Sequence, residues 1–195
     1  MLRLKKSLGQ NFLIDKNIII KIIRLVEIKN KHIIEIGPGK GALTNEIIKY
    51  NPKSLTIIEK DEYLSKKLKE KYLKHNFVKV ITADILKYNI EKIANKNSII
   101  FGNLPYNISS QILVKIINFK KWPPKYCDLI LMFQKELAEK IIGKFASKNY
   151  GRISILVNYR LKLIKKFLVS KNCFFPVPKV TSQVIHFQPK KNMGY

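Results

Sequence analysis

Four short apolar runs in this chain each finish in a glycine or a polar side chain. His32–Ile36 runs into Gly37-Pro38-Gly39-Lys40-Gly41, and Leu55–Ile58 runs into Glu59. Val78–Ile81 leads to Ala83-Asp84, and Ser98–Phe101 leads to Gly102-Asn103. Such runs have the length and β-branched content of buried strands. Between them lie segments of helical period; after the first glycine turn, Ala42, Leu43, Ile47 and Ile48 fall on one side. Strands alternating with helices predict one doubly wound, mostly parallel sheet. In such a sheet the carboxyl ends of the strands line a single crevice. A helix-capping role accounts for an acid such as Asp84 taken alone, but it explains all four strand ends together less well.

The pattern predicts helices at about 15–29, 41–50, 61–74, 89–95, 108–119, 134–145 and 152–160. Strands are expected at 32–37, 55–60, 78–84, 98–103 and 128–133. Two more, near 162–169 and 181–188, should pair antiparallel at the edge and flank the loop Phe174-Phe175-Pro176-Val177-Pro178. The result is a seven-stranded α/β sheet in one domain over residues 1–195, and 46% hydrophobic content supplies the core.

Composition narrows the function further. A net charge of +25 implies a polyanionic partner. The chain is rich in Lys, Ile and Asn throughout, a bias that raises surface lysine in any setting, so the charge permits RNA binding without establishing it. Arg3-Leu4-Lys5-Lys6, Lys120-Lys121 and Lys165-Lys166 are candidate phosphate contacts. The apolar stretch Ile18-Ile19-Ile20 is interrupted by Lys21 and Arg24 and reads as amphipathic, not membrane-spanning. Cys127 and Cys173 show no metal-type spacing and the acids are scattered, so no metal is expected and the thiols read as reduced. His32, His75 and His186 read as structural.

Residues 102–107, Gly-Asn-Leu-Pro-Tyr-Asn, carry the most chemistry. Pro105 pushes Leu104 away from helical geometry, so a stiff loop is expected at the end of the strand. An amide, exposed carbonyls and an aromatic face then stand side by side. The Asn103 amide oxygen and a backbone carbonyl suit the two N–H bonds of an exocyclic amine, with Tyr106 stacked on the ring. A plain strand-to-helix turn with a buried tyrosine fits the tetrapeptide equally well. The glycine turn is also ambiguous taken alone. With Ala42 in third place it satisfies a relaxed dinucleotide fingerprint, and Glu59 stands at the offset of a ribose-binding acid. A nicotinamide-dependent oxidoreductase therefore remains an alternative at this point.

Four motifs in order make a more specific resemblance. They are Gly9-Gln10-Asn11-Phe12-Leu13, Glu35-Ile36-Gly37-Pro38-Gly39, Gly102-Asn103-Leu104-Pro105-Tyr106-Asn107-Ile108-Ser109 and Phe174-Phe175-Pro176-Val177-Pro178-Lys179-Val180. Together they resemble the KsgA-type small-subunit rRNA adenine dimethyltransferases, from Leu8 to about Pro189. The erythromycin-resistance methylases of large-subunit rRNA share much of this set. They usually carry Ile where this chain has Leu104, which favours the small-subunit group.

The resemblance implies a Rossmann-like S-adenosylmethionine-dependent methyltransferase fold and methyl transfer to the 6-amino group of adenines near the 3′ end of small-subunit rRNA. By the same resemblance Asn11, Leu13, Gly37 and Gly39 belong to the S-adenosyl-L-methionine site. Glu59 takes the ribose hydroxyls, Asp84 the cofactor's adenine amine, and Asn103 sits between cofactor and target. Asn103, Leu104, Pro105 and Tyr106 form the catalytic loop, and Tyr106 and Phe174 sandwich the everted base. Substitution at Gly37 or Gly39 is expected to block the cofactor while leaving the fold intact. The implied partner is small-subunit rRNA within a pre-30S particle, with the protein a cytoplasmic monomer in ribosome biogenesis. KsgA-type proteins continue into a small helical domain, which the resemblance gives as absent from residues 1–195. A non-catalytic RNA-binding assembly factor is the remaining rival, and the joint presence of Glu59, Asn103 and Tyr106 argues against it.

Overall fold

The computed structural model describes residues 11–191. Gly9, Gln10 and the basic segment at 3–6, singled out above, lie outside the described residues. A two-residue strand β1 (Phe12–Leu13) and helix α1 (Lys16–Ile23) precede the first sheet strand. The parallel part of the sheet then alternates with helices: β2 (His32–Ile36), α2 (Ala42–Lys49), β3 (Ser54–Glu59), α3 (Glu62–Lys71), β4 (Val78–Thr82), β5 (Ser98–Asn103), α4 (Ser109–Ile117) and β6 (Tyr126–Gln134). The chain finishes with α5 (Lys135–Ile141), α6 (Arg152–Arg160), β7 (Leu161–Val169), β8 (Phe174–Phe175) and β9 (Ser182–Pro189).

Seven strands form one sheet in the order β4-β3-β2-β5-β6-β9-β7. The pairs from β4 to β6 are parallel, and β9 runs antiparallel to both β6 and β7. The chain winds outward from β2 through β3 to β4, then crosses to β5 on the other side of β2. That reversal is the switch point at which an open α/β sheet opens a crevice.

Alternation along the central strands builds two cores. Ile34, Ile36 and Ile100 face one layer with Ile112, Leu113 and Ile116 of α4 and Ile141 of α5. Ile33, Ile99 and Phe101 face the other, with Ile22 and Ile23 of α1, Ile47 of α2 and Leu68 of α3. Strands buried on both faces require the near-continuous apolar runs seen in the sequence.

Two local expectations are corrected, and one strand pairing is additional. The helix expected over 15–29 ends at Ile23, because the amides of Leu25 and Val26 reach back only three residues, to Ile22 and Ile23, and so tighten the chain into a turn. The segment 89–95 holds one 3-10 turn, Ile90–Lys92, whose Lys92 amide donates to the Asn89 side chain. The pairing of β1 with β8, Phe12 opposite Phe175 and Leu13 opposite Phe174, has no counterpart in the sequence reading.

At the antiparallel edge, Asp128 of β6 accepts hydrogen bonds from His186 Nε2 at 2.7 Å and Gln188 Nε2 at 2.9 Å. Burial pushes the Asp128 carboxyl up, but the His186 and Gln188 bonds outweigh it and hold the group below its ordinary value. Its stabilising contribution is therefore present above the ordinary aspartate pKa and lost as pH falls through the depressed one. His186 is thus a structural partner, as expected. Asp128→Ala leaves the His186 and Gln188 donors without their acceptor. It should cost about 1–3 kcal/mol in a denaturant titration at neutral pH, and less at pH 3.

Candidate active site

The turn after β2 begins where the Gly37 amide donates to the Ile58 carbonyl of the neighbouring strand at 3.0 Å. Gly37 and Gly39 then take φ of 67° and 58°, in the left-handed region that side chains resist. Close approach adds to the requirement. A methyl group on Gly37 would stand 3.2 Å from the Asn103 carbonyl oxygen, and one on Gly39 would stand 2.6 Å from the Phe12 ring. The turn is thus pressed between the end of β5 and the β1 segment. Substitution at either glycine therefore strains the turn, so the block to the cofactor expected there comes together with a cost in stability.

Glu59 ties this turn to the next one. Its Oε2 accepts from the Gly39 amide at 3.2 Å and its Oε1 from the Asp61 amide at 2.8 Å. A carboxylate has about four acceptor directions, so capacity remains for a ligand hydroxyl beside these bonds. Burial raises the Glu59 pKa, and the two amide bonds oppose that rise. Asp84, beyond the end of β4, accepts from the Leu86 amide at 2.9 Å and pairs with Lys60 at 2.8 Å. The Lys60 bond, assisted by the Leu86 amide, holds the Asp84 carboxyl below its usual range.

At the end of β5, the Asn103 Nδ2 donates to the Asn11 carbonyl at 3.4 Å. That contact commits the nitrogen end of the amide to the β1 side and makes Oδ1 its acceptor end. Leu104 buries its side chain over Gly102, where a Cβ would stand 2.7 Å from Leu104 Cδ2. Leu104 can therefore serve chemistry only through its backbone. Tyr106 is half-buried and its hydroxyl lies 2.6 Å from Ser182 Oγ at the start of β9. This bond fixes the ring of Tyr106 against the sheet.

These groups share one cavity of about 400 Å³ at the carboxyl ends of β2, β3, β4 and β5. Asn11, Leu13, Gly37, Gly39, Glu59, Asp84 and the whole Asn103–Tyr106 loop line it. The size falls in the range of small-molecule and cofactor sites. The match to known proteins agrees. The family model "Ribosomal RNA adenine dimethylase" matches residues 1–194.

The chain belongs to that family. A ribosomal RNA small subunit methyltransferase A from Pelagibacter ubique is 46% identical over 191 residues, covering 96% of this chain and 71% of the relative. Among solved structures, a dimethyladenosine transferase from Plasmodium falciparum superposes with a TM-score of 0.81 at 32% identity, covering 92% of this chain and 63% of that one. The 23S rRNA methyltransferase ErmE gives 0.78 at 27% identity, covering 94% and 71%. The Rossmann-like methyltransferase fold expected from the sequence is therefore the one observed.

One expected site residue lies outside this cavity. Phe174 is only 1% exposed and packs in the core layer of α1 and α2, outside the cavity lining. Its ring has no free face to offer a base. The reason is strand alternation: in β8 the ring of Phe174 turns inward and that of Phe175 turns outward. The sequence reading also passed over Glu35 as a site residue, although a carboxylate inside an apolar strand was a visible signal. Glu35 is fully buried, lines the cavity and accepts from Thr44 Oγ1 at 2.6 Å. Burial, helped by the nearby charge of Glu59 and opposed by the Thr44 bond, pushes its pKa up to about 7.

Two outcomes follow from this geometry. A glutamate with a raised pKa favours folding below its ordinary value and loses that contribution as pH rises through about 7. Denaturant titrations of ligand-free protein should show stability declining between about pH 4.5 and 7.5, with Glu35→Gln flattening that decline. Gly39→Ala should lower stability by about 1–3 kcal/mol and also weaken binding of S-adenosylhomocysteine, as read by thermal melts with and without the ligand.

Proposed function

We propose that the chain transfers methyl groups from S-adenosyl-L-methionine to the 6-amino group of adenines in small-subunit rRNA, as an rRNA adenine dimethyltransferase acting in ribosome biogenesis in the cytoplasm. The observation that carries this reading is the meeting of Asn103, Glu59 and Asp84 in one cavity inside a strongly basic chain. Three carboxylates, Glu35, Glu59 and Asp84, line that cavity, although the chain has only 13 acids against 38 Lys and Arg. Lys40 and Lys60 line it as well, and Lys60 pairs with Asp84, so the cavity presents both signs of charge to a small ligand, while the basic exterior suits a polyanion.

The residues fit the cofactor. The glycine turn leaves backbone room where a Cβ would intrude, Glu59 presents two oxygens to a ribose diol, and Asp84 presents an acceptor to a base amine. When bound, S-adenosylmethionine supplies a methyl carbon activated by its sulfonium. The protein's own share is placement. Asn103 Oδ1 and the Leu104 carbonyl accept the two hydrogens of the target amine, which turns its lone pair out of conjugation and aims it. The same acceptors favour the positive charge that grows on nitrogen. The product nitrogen is acidic enough to lose its extra proton to water, so the reaction needs no strong side-chain base. The target adenine must leave its stack to reach this depth, and Tyr106 offers it a fixed aromatic face.

The higher identity to the small-subunit enzyme than to ErmE favours small-subunit rRNA over the large-subunit alternative. The experiment is methylation with labelled cofactor on unmethylated small ribosomal subunits and on protein-free large-subunit RNA. Label on adenines of the former supports the reading; label on the latter alone overturns the substrate.

Asn103→Ala should reduce turnover by at least a hundredfold while calorimetry shows S-adenosylhomocysteine binding little changed. Tyr106→Ala should be severe. Tyr106→Phe keeps the stacking face and loses only the bond to Ser182, so its activity should stay within about tenfold of wild type, at a stability cost of about 1 kcal/mol. A phenylalanine variant as inactive as the alanine would assign the work to the hydroxyl instead.

A further inference from the structure

The ribbon of β1 and β8 carries an aromatic side chain for which the reaction so far has no use. Phe175 pairs with Phe12 across the ribbon and is 56% exposed. Lys40, the exposed residue within the glycine turn, places its Nζ 5.0 Å from the Phe12 ring centre and 6.0 Å from that of Phe175. Phe12 and Lys40 both line the cavity, so Phe175 stands at its rim. Ile14 and Val177, also exposed, extend the same segments with apolar surface. The neighbouring acid, Asp15, is engaged at the start of α1, where it accepts from the Ile18 amide.

A lone exposed phenylalanine is ordinary. A flat ring beside a cation, at the mouth of a cavity that must admit a nucleotide, is the pairing found in single-strand nucleic-acid grooves. Phe174 is buried, so the ribbon's available aromatic face is that of Phe175. We propose that Phe175 stacks on a base adjacent to the target adenine in the RNA, with Lys40 meeting the phosphate of that strand. This inference rests on the RNA-methylating function proposed above. The occupant we assign to this lip is an RNA strand, not an apolar protein segment, because Lys40 sets a cation beside the exposed ring, and the net charge of +25 is compatible with that assignment.

The test measures filter binding of the full chain to small ribosomal subunits lacking adenine methylation, with Phe175→Ala, Phe175→Leu and Phe175→Trp beside wild type. Alanine and leucine should weaken binding by roughly tenfold or more, because neither supplies a flat face, whereas tryptophan should retain it. Lys40→Gln should reduce the slope of log affinity against log salt by about one. S-adenosylhomocysteine binding, read by calorimetry, should match wild type in the three Phe175 variants. Wild-type affinity in Phe175→Ala, or a loss in Phe175→Trp equal to that in Phe175→Leu, overturns the stacking role. An unchanged salt slope in Lys40→Gln overturns the phosphate contact. Failure of wild type itself to bind or methylate these subunits would instead overturn the function on which the inference rests.

Discussion

The bridge made by the Glu59 carboxylate is the interaction on which the site depends. One oxygen holds the Gly39 amide and the other holds the Asp61 amide. It therefore couples the turn after β2 to the turn after β3. The parallel register places Ile36 beside Ile58, so these two turns leave the sheet at the same level. Without a buried acceptor between them, two backbone donors would lose their partners at the floor of the cavity, at about 1–3 kcal/mol each. The same carboxylate oxygens retain capacity for ligand hydroxyls. A structural bridge and the proposed ligand grip thus share one side chain.

The opposite wall is built by residues far apart in the chain. Asn11 reaches Asn103 across 92 positions, and Phe12 lies over Gly39. What holds this segment in place is its pairing with β8, where Leu13 and Phe174 meet across the ribbon and both enter the core. Burial of Phe174 therefore serves the site indirectly: it anchors the strand that carries Asn11 and Phe12 to the cavity. Tyr106 is tied in by a similar device, through Ser182 at the head of β9. The Asn103–Tyr106 loop is braced from the antiparallel half of the sheet while it lines the cavity at the end of the parallel half.

This division explains what was legible in the sequence. Local periodicity and turn chemistry decide the parallel strands, and the residues at their ends follow from strand geometry alone. Glu59, Asp84 and Asn103 needed no tertiary information to be picked out. The β1–β8 ribbon was not legible, because two-residue strands have no period to read and their pairing joins Phe12 to Phe175 and Leu13 to Phe174, from opposite ends of the chain. The assignment of Phe174 suffered for the same reason. Between two adjacent phenylalanines, only the ribbon's register decides which ring faces the core. The overlong first helix is a further case: the isoleucines from Ile18 to Ile28 suit a helix, but Ile28 is buried in the layer with Ile33 after the chain has already turned.

The electrostatic arrangement follows from the same packing. Three of the chain's few carboxylates sit at strand ends where burial raises two of them, and only Asp84 has a lysine directly against it, Lys60. The nearby charge of Glu59 also raises the cost of ionising Glu35. Each carboxylate is held in place by the bonds that satisfy it: the Thr44 hydroxyl for Glu35, the Gly39 and Asp61 amides for Glu59, and Lys60 with the Leu86 amide for Asp84.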